Sequence, residues 1–279
     1  AWGRVDRINP TDNLTPRDFT LLSPATDEER FGTEAVKISK VFGMQSSLTA
    51  IWLVNFKPNQ LPPANTPGFQ FTHSIPNDHK QYALKFDQSG GDIDWSISYF
   101  SGIDLNADLA ITGRSGTDLL IEKKYNEVDI FGADFATIIG STRYAVEAAY
   151  THTKDPSGLN DFIKNSFTHI VIGLEQDFGG DLSVITQGFY RSVFDYQDPR
   201  TISDNSRKAV ASLSALANHQ LDKDEYGLSM RIGKKWLNDT LEAEFSASTL
   251  LQRHGYIVRP KMSYSINDNF GTNNITMSL

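Results

Sequence analysis

Twelve ionisable side chains sit in the middle of runs that otherwise alternate apolar and polar residues. They are Lys37, Lys85, Asp94, Arg143, Glu147, Glu175, Arg191, Arg231, Glu242, Glu244, Arg259 and Lys261. A charge held mid-strand in a dry core costs several kcal/mol, so these positions need water or partners. The chemistry they offer is solvation of polar solutes along a wall. Seven are bases and five are acids. A mixed wall of this kind argues against strong selectivity for one ion sign, unlike the single-sign rings of charge-selective pores.

The remaining chemistry-bearing residues offer less. The six histidines are scattered. His152 lies near Asp155, and His169 shares a strand side with Glu175. A general base needs an oriented partner and a reacting group within reach, and neither spacing provides them. No Gly-rich phosphate loop and no metal motif is present. The absence of cysteine excludes zinc ribbons, thiolate nucleophiles and disulfide scaffolds. No catalytic residue, cofactor or metal is therefore expected. Acids exceed bases, 34 to 26, and there is no basic run, which argues against a nucleic-acid partner.

The elements that must position these charges are strands. Period-2 alternation recurs along the chain: Leu48, Ala50, Trp52 and Val54; Tyr82, Leu84 and Phe86; Ile93, Trp95, Ile97 and Tyr99; Tyr144, Val146, Ala148 and Tyr150; Leu241, Ala243, Phe245 and Ala247. Further runs start near Val36, Ile170, Leu182, Tyr226, Tyr256 and Ile275. The run 128–137 is strand-like but its facing is open, and a bulge fits it. This makes about a dozen strands of roughly 9–12 residues, the length that crosses a bilayer at ~45° tilt.

The links sort by length. Residues 43–45, 89–91, 139–141, 179–180 and 237–239 are short links after odd-numbered strands. Residues 57–77, 101–119, 153–165 and 195–223 are long links after even-numbered ones, and 252–255 is a short exception. Short turns at one end and long loops at the other are the pattern of outer-membrane barrels. Within the last long loop, Val210, Leu213 and Leu216 predict a short helix over 206–219. No apolar run approaches ~18 residues, which excludes a transmembrane helix but not a membrane barrel.

The apolar strand faces carry Tyr99, Tyr144, Tyr150, Tyr190, Tyr226, Trp236, Tyr256 and Tyr264 near their ends, as an aromatic girdle would. Inward Phe100 and Phe189 could offer a sliding surface for sugars or apolar solutes, or could simply pack. Residues 1–33 differ from the rest: three prolines between residues 2 and 31, little alternation and many charges, including Arg4, Asp6, Arg7, Asp12, Arg17 and Asp18. Parity puts this segment on the long-loop side, where it could fold inward as a constriction or lie as an ordinary exposed loop.

The stretch Trp2-Gly3-Arg4-Val5-Asp6-Arg7-Ile8-Asn9-Pro10-Thr11-Asp12, followed by Leu14-Thr15-Pro16-Arg17-Asp18, resembles a loop of Gram-negative outer-membrane porin-like proteins. That family is of largely unknown function and is related to alginate-export-like barrels. In that group a Trp-Gly pair ends a strand and an Asn-Pro-x-Asp turn follows. Residues 141–150 look like one of its strands, as does Tyr256-Ile257-Val258-Arg259-Pro260 running on to Tyr264 and Asp268. The resemblance implies an outer-membrane barrel with a transport role and supplies no substrate. Such barrels usually end in a strand with a terminal aromatic residue, and this chain ends in Leu279.

The expected fold is therefore an all-β antiparallel transmembrane β-barrel, a meander, present as an incomplete fragment of a 14–16-stranded parent. Residues 34–279 would supply about twelve strands of a single domain. The expected function is a porin-like channel in the bacterial outer membrane, with lipid and a small hydrophilic or amphiphilic solute as partners. Two other readings stay open: a soluble all-β carbohydrate-binding or structural protein, and an outer-membrane lipid-modifying enzyme.

Overall fold

The computed structural model describes residues 2–4, 8–17, 30–60, 67–76 and 80–265, and the backbone of 274–278. Fifteen strands and one α-helix follow one another: β1 (Ala35–Phe42), β2 (Ser46–Leu53), β3 (Phe69–Ser74), β4 (Gln81–Gln88), β5 (Ile93–Ile103), β6 (Asp108–Ser115), β7 (Asp118–Lys124), β8 (Glu127–Ile139), β9 (Thr142–His152), β10 (Phe167–Asp177), β11 (Leu182–Val193), α1 (Asn205–Ala217), β12 (Asp224–Trp236), β13 (Leu241–Leu250), β14 (Gly255–Ser265) and β15 (Asn274–Ser278). The protein is all-β. Twelve strands form one antiparallel sheet in the order β1-β2-β4-β5-β8-β9-β10-β11-β12-β13-β14-β15, so every strand of this sheet lies beside its nearest sheet strand in sequence. Among the described residues, β1 and β15 are its two edges.

These twelve strands are the alternating runs of the sequence, and their links alternate as expected. Tight turns close β1–β2, β4–β5, β8–β9, β10–β11 and β12–β13. Gly43 and Gly140 adopt φ of 63° and 64° in two of these turns, a region open to glycine without a Cβ penalty. The long links at the other end hold structure that alternation did not reveal. Strands β3, β7 and β6 form a second, three-stranded sheet in which β3 and β7 run parallel. The pure meander expected from sequence is therefore incomplete. Helix α1 spans 205–217, close to the expected 206–219, and Asp204 caps it by accepting a hydrogen bond from Arg207 N. Its Val210 packs with Leu109, Leu119 and Ile121 of the small sheet. We call this sheet and helix the cap.

The bulge expected within 128–137 is absent. Strand β8 pairs residue by residue with both β5 and β9, and the irregularity instead lies between Ile111 and Gly113 of β6. Sequence left the facing of β8 open because Gly132, Ala133, Asp134 and Ala136 put small or polar residues on both sides.

Register divides the large sheet into two unlike faces. On one, Trp52, Tyr82, Leu84, Ile97, Phe131, Ile172, Leu228, Val258 and Met262 are all exposed. Charges on that face occur only near strand ends, as with Asp129, Asp224 and Lys234. On the other face lie all twelve charges singled out above, fixed there by strand pairings such as Lys37↔Ile51, Lys85↔Ser98, Ser246↔Arg259 and Glu244↔Lys261.

Candidate functional site

The charged face is not bare. Residues 2–4 and 8–17 lie against it, over β4, β5, β8 and β9. Trp2 and Leu14 share a buried apolar cluster with Leu53, Ala83, Phe100, Val128, Ile130 and Ala149. Phe100 is only 1% exposed, so it packs rather than offering a sliding surface. The segment bends at Asn9-Pro10-Thr11-Asp12, where Asp12 N donates to Asn9 O at 3.2 Å, with proline at the second turn position. Asp12 then accepts from Leu14 N at 3.1 Å, an Asx-type turn.

Its electrostatic centre is a pair of acids. Asp134 and Glu147 stand directly opposite each other in the β8–β9 register, an arrangement that is destabilising when left alone. Arg4 sits over them. Its Nε donates to Asp134 Oδ1 at 2.7 Å and a terminal nitrogen donates to Asp87 at 2.9 Å, with Asp94 at 3.7 Å. Glu147, at 0% exposure, accepts from Arg4 N (3.1 Å), Thr11 N (2.9 Å), Thr11 Oγ1 (2.7 Å) and Asn9 Nδ2 (3.5 Å). Four donors of this kind replace the water that a buried carboxylate loses. Lys85 donates to the Trp2 carbonyl at 2.6 Å and Arg143 to the Arg4 carbonyl at 2.9 Å.

Two glycines admit the segment. A Cβ on Gly3 would lie 1.9 Å from a Glu147 carboxylate oxygen. One on Gly132 would lie 2.5 Å from Thr11 Cγ2 and 2.6 Å from Ser98 Oγ. Both distances are shorter than real Cβ contacts, so these positions let strand and segment approach closely.

At the edge of the covered strands Arg143 meets Glu175 at 3.5 Å. Farther out the face opens: Arg231 and Glu244 approach to 4.0 Å, and Lys37, Glu242 and Arg259 are exposed. A shallow recess here is lined by Gln187, Ser229, Arg231, Ser246 and Arg259.

A larger cavity of about 340 Å³ lies at the long-loop end, beneath the cap. Asn9, Asp12 and Arg17 of the segment form one wall, and Arg191, His169 and Glu225 of the sheet another. Asp12 is bound by Arg30 at 2.9 Å. Arg17 N donates to Asn59 and its guanidinium approaches Asn9. Thus Arg4, Asp12 and Arg17 lie on the charged face as part of one folded segment, whereas Asp6, Arg7 and Asp18 lie outside the described residues.

A buried lock joins cap to wall. Lys164 Nζ bonds Asp104 at 2.9 Å and lies 3.7 Å from Asp108. Burial pushes Asp108 above the ordinary carboxylate range despite Lys164. Burial acts to lower Lys164, but Asp104 and Asp108 outweigh it and hold the amine above its ordinary value. Asn218 at the end of α1 also donates to Asp108, at 3.3 Å.

Of the histidine pairs considered from spacing, neither forms. Asp155 accepts from Ser157 and Asn160 instead of His152, and Glu175 meets Arg143 rather than His169. The pair that does form, His219 with Glu225 at 2.8 Å, has no distinguishing spacing. Among the described residues no three His, Asp or Glu side chains group as metal ligands, and no helix is long and apolar enough to cross a membrane.

On the apolar face the aromatics form rows. Toward the long-loop end, Tyr82–Tyr99, Tyr99–Phe131, Phe131–Tyr150 and Tyr150–Phe194 lie 6.0, 5.0, 6.5 and 5.8 Å apart by ring centre. The hydroxyls of Tyr99 and Tyr190 reach carboxylates at that rim, Asp129 and Asp224. Trp95, Tyr144, Trp236 and Tyr264 mark the short-turn end of the same face. No protein-family model matches the chain, and no curated protein matches it.

Proposed function

We propose that the twelve-stranded sheet is wall of a transmembrane β-barrel in a bacterial outer membrane, and that the protein is a porin-like channel for small polar or amphiphilic solutes. The observation that carries this reading is the inversion of the sheet. Its continuous apolar face is exposed, while its charged face is the one on which another part of the chain packs. A large exposed apolar surface marks an interaction with an apolar phase or partner. Two rows of aromatics with polar tips at the rims fit headgroup levels on either side of that phase. Tyr226 and Trp236 are ten residues apart on β12. At ~3.4 Å per residue and ~45° tilt this spans about 24 Å of height, near the ~25 Å apolar band of outer-membrane barrels.

A soluble sheet would bury this face against another layer; none of the described elements covers it. In a bilayer each backbone polar group must be paired, so the reading requires partners for the edges of β1 and β15, from each other or from further strands. The charged face is then the lumen, and the segment 2–17 narrows it. Solutes pass along the open side, where bases and acids alternate and replace water contacts for either sign. The resemblance of residues 2–17 to loops of porin-like barrels supports the same conclusion.

The test is gel mobility of the membrane-extracted protein with and without boiling, followed by conductance in planar bilayers. A heat-dependent shift and stepwise conductance are expected. Recovery in the soluble fraction with no shift would overturn the reading.

A further inference from the structure

The cavity beneath the cap is lined by a cation that forms no ion pair with any described residue. Its wall contains three acids and three fixed cations: Asp12, Asp104, Glu225, Arg17, Lys164 and Arg191. Each acid is already engaged. Asp12 is held by Arg30, and Asp104 by Lys164. Glu225 is held by His219 and by Arg253, the latter at 3.5 Å. Glu225 is the register partner of Arg191 and acts on it electrostatically from beyond ion-pair distance, while His219 is the base that hydrogen-bonds its carboxylate.

Arg191 is the exception. Its guanidinium has five N–H donors. One terminal nitrogen donates to the Asn218 carbonyl at 3.0 Å and the other meets His169 Nδ1 at 3.3 Å. The group stacks over Phe167 at 4.6 Å. Among the described residues no carboxylate reaches it within ion-pair distance. Its neighbour is also incomplete. An arginine can only donate, so His169 Nδ1 is the acceptor and the ring proton resides on Nε2. That atom is buried without any hydrogen-bond partner, in a residue only 8% exposed. A guanidinium with unused donors at the wall of the cavity calls for an acceptor that the described residues do not supply.

The rest of the wall indicates what carries that acceptor. Phe167, Phe189, Ile130 and Leu250 line the same space, and Phe189 packs edge-on against His169 at 6.3 Å. A fully hydrated inorganic anion would gain nothing from these rings. A carboxylate attached to an aromatic or apolar body would satisfy both halves. Its oxygens match the planar fork of Arg191, and its body covers apolar wall.

We propose that this cavity is a binding subsite for small organic carboxylates, with Arg191 as the anchoring cation and Phe167 and Phe189 as the platform. The proposal depends on the channel reading only for how the ligand arrives.

The experiment is calorimetric titration of the full chain, folded in detergent, with benzoate as probe. Benzamide, the neutral isostere, and inorganic phosphate serve as comparisons. Saturable benzoate binding is expected, at least about tenfold tighter than either comparison, a difference of ~1.4 kcal/mol. Arg191→Gln should weaken benzoate at least about tenfold, and Lys124→Gln on the cap should leave it unchanged. Equal affinities for benzoate and benzamide, no saturation by about 10 mM, ten times the ~1 mM of a −4 kcal/mol site, or an unchanged Arg191→Gln would each overturn the proposal. Should Arg191→Gln fail to give the folded gel form, the benzoate–benzamide comparison on the unaltered protein decides. Benzoate binding without conductance would remove the channel reading and keep the subsite, whereas conductance without benzoate discrimination would do the opposite.

Discussion

The two halves of the charged face have the same sequence pattern and opposite environments. Over β4 to β9, Lys85, Asp134 and Glu147 lie beneath residues 2–4 and 8–17 and are joined to them by short hydrogen bonds. Over β12 to β14, Arg231 and Glu244 are half-buried and approach to 4.0 Å, and Arg259 is exposed. Alternation fixes which side of a strand a charge occupies. It does not decide whether that charge meets water or another part of the chain. The difference is set by a segment 83 to 143 residues away in sequence, and by the small residues Gly3 and Gly132 that let it approach.

The sharpest way to break this contrast is Glu147→Leu. It strands the donors of Arg4 N, Thr11 N and Thr11 Oγ1 in a buried site, at ~1–3 kcal/mol each. The segment should detach, with proteolysis within 8–17 and conductance rising several-fold. Retained protease protection would show that apolar packing of Trp2 and Leu14 holds the segment alone. Arg4→Ala comes next. It leaves Asp87, Asp94 and Asp134 close together with Lys85 as the one remaining cation among the described residues, and should destabilise docking by about 3 kcal/mol, measured as a lower temperature for onset of proteolysis.

A matched pair of glycines sharpens the comparison. Gly132→Ala should cost about 1–3 kcal/mol through overpacking against Thr11. Gly233→Ala on the open half, where the nearest atom is Ser183 Oγ at 3.3 Å, should fall within about 0.5 kcal/mol of the parent protein. Similar thermal midpoints for the two would contradict the close approach.

The cap lock gives a smaller, pH-dependent effect. Lys164 is raised above its ordinary 10.5. Its stabilising contribution is therefore complete below that value and lost as pH rises through the higher folded one. Amide exchange in α1 should accelerate above that range in the parent protein and show no such step in Lys164→Met. Last, Arg231→Ala on the open half should change stability by less than about 1 kcal/mol, and a larger loss would mean that this half is as tightly built as the other.

The wall was legible in the sequence because each strand repeats every second residue and the turns sort by length. That the twelve charges share one face of the sheet was legible for the same reason. The cap was not. Strands β3, β6 and β7 are short, lie inside links that read as loops, and gain their core only from residues such as Val210 on a distant helix. Asp134, the centre of the ion network, was hidden by the small residues on both sides of β8. The cavity around Arg191 was hidden because its walls come from many stretches of chain, from Ile8 to Leu250.

The pairing of Asp134 with Glu147 has a consequence for the order of events during assembly. Arg4 bonds Glu147 across a separation of 143 residues. The β8–β9 hairpin is local and can close early, but it closes with two carboxylates face to face. Until the distant segment arrives, that hairpin is a strained intermediate, and loop-closure entropy delays the arrival. Refolding should therefore show two phases, fast strand pairing and a slower step that quenches Trp2.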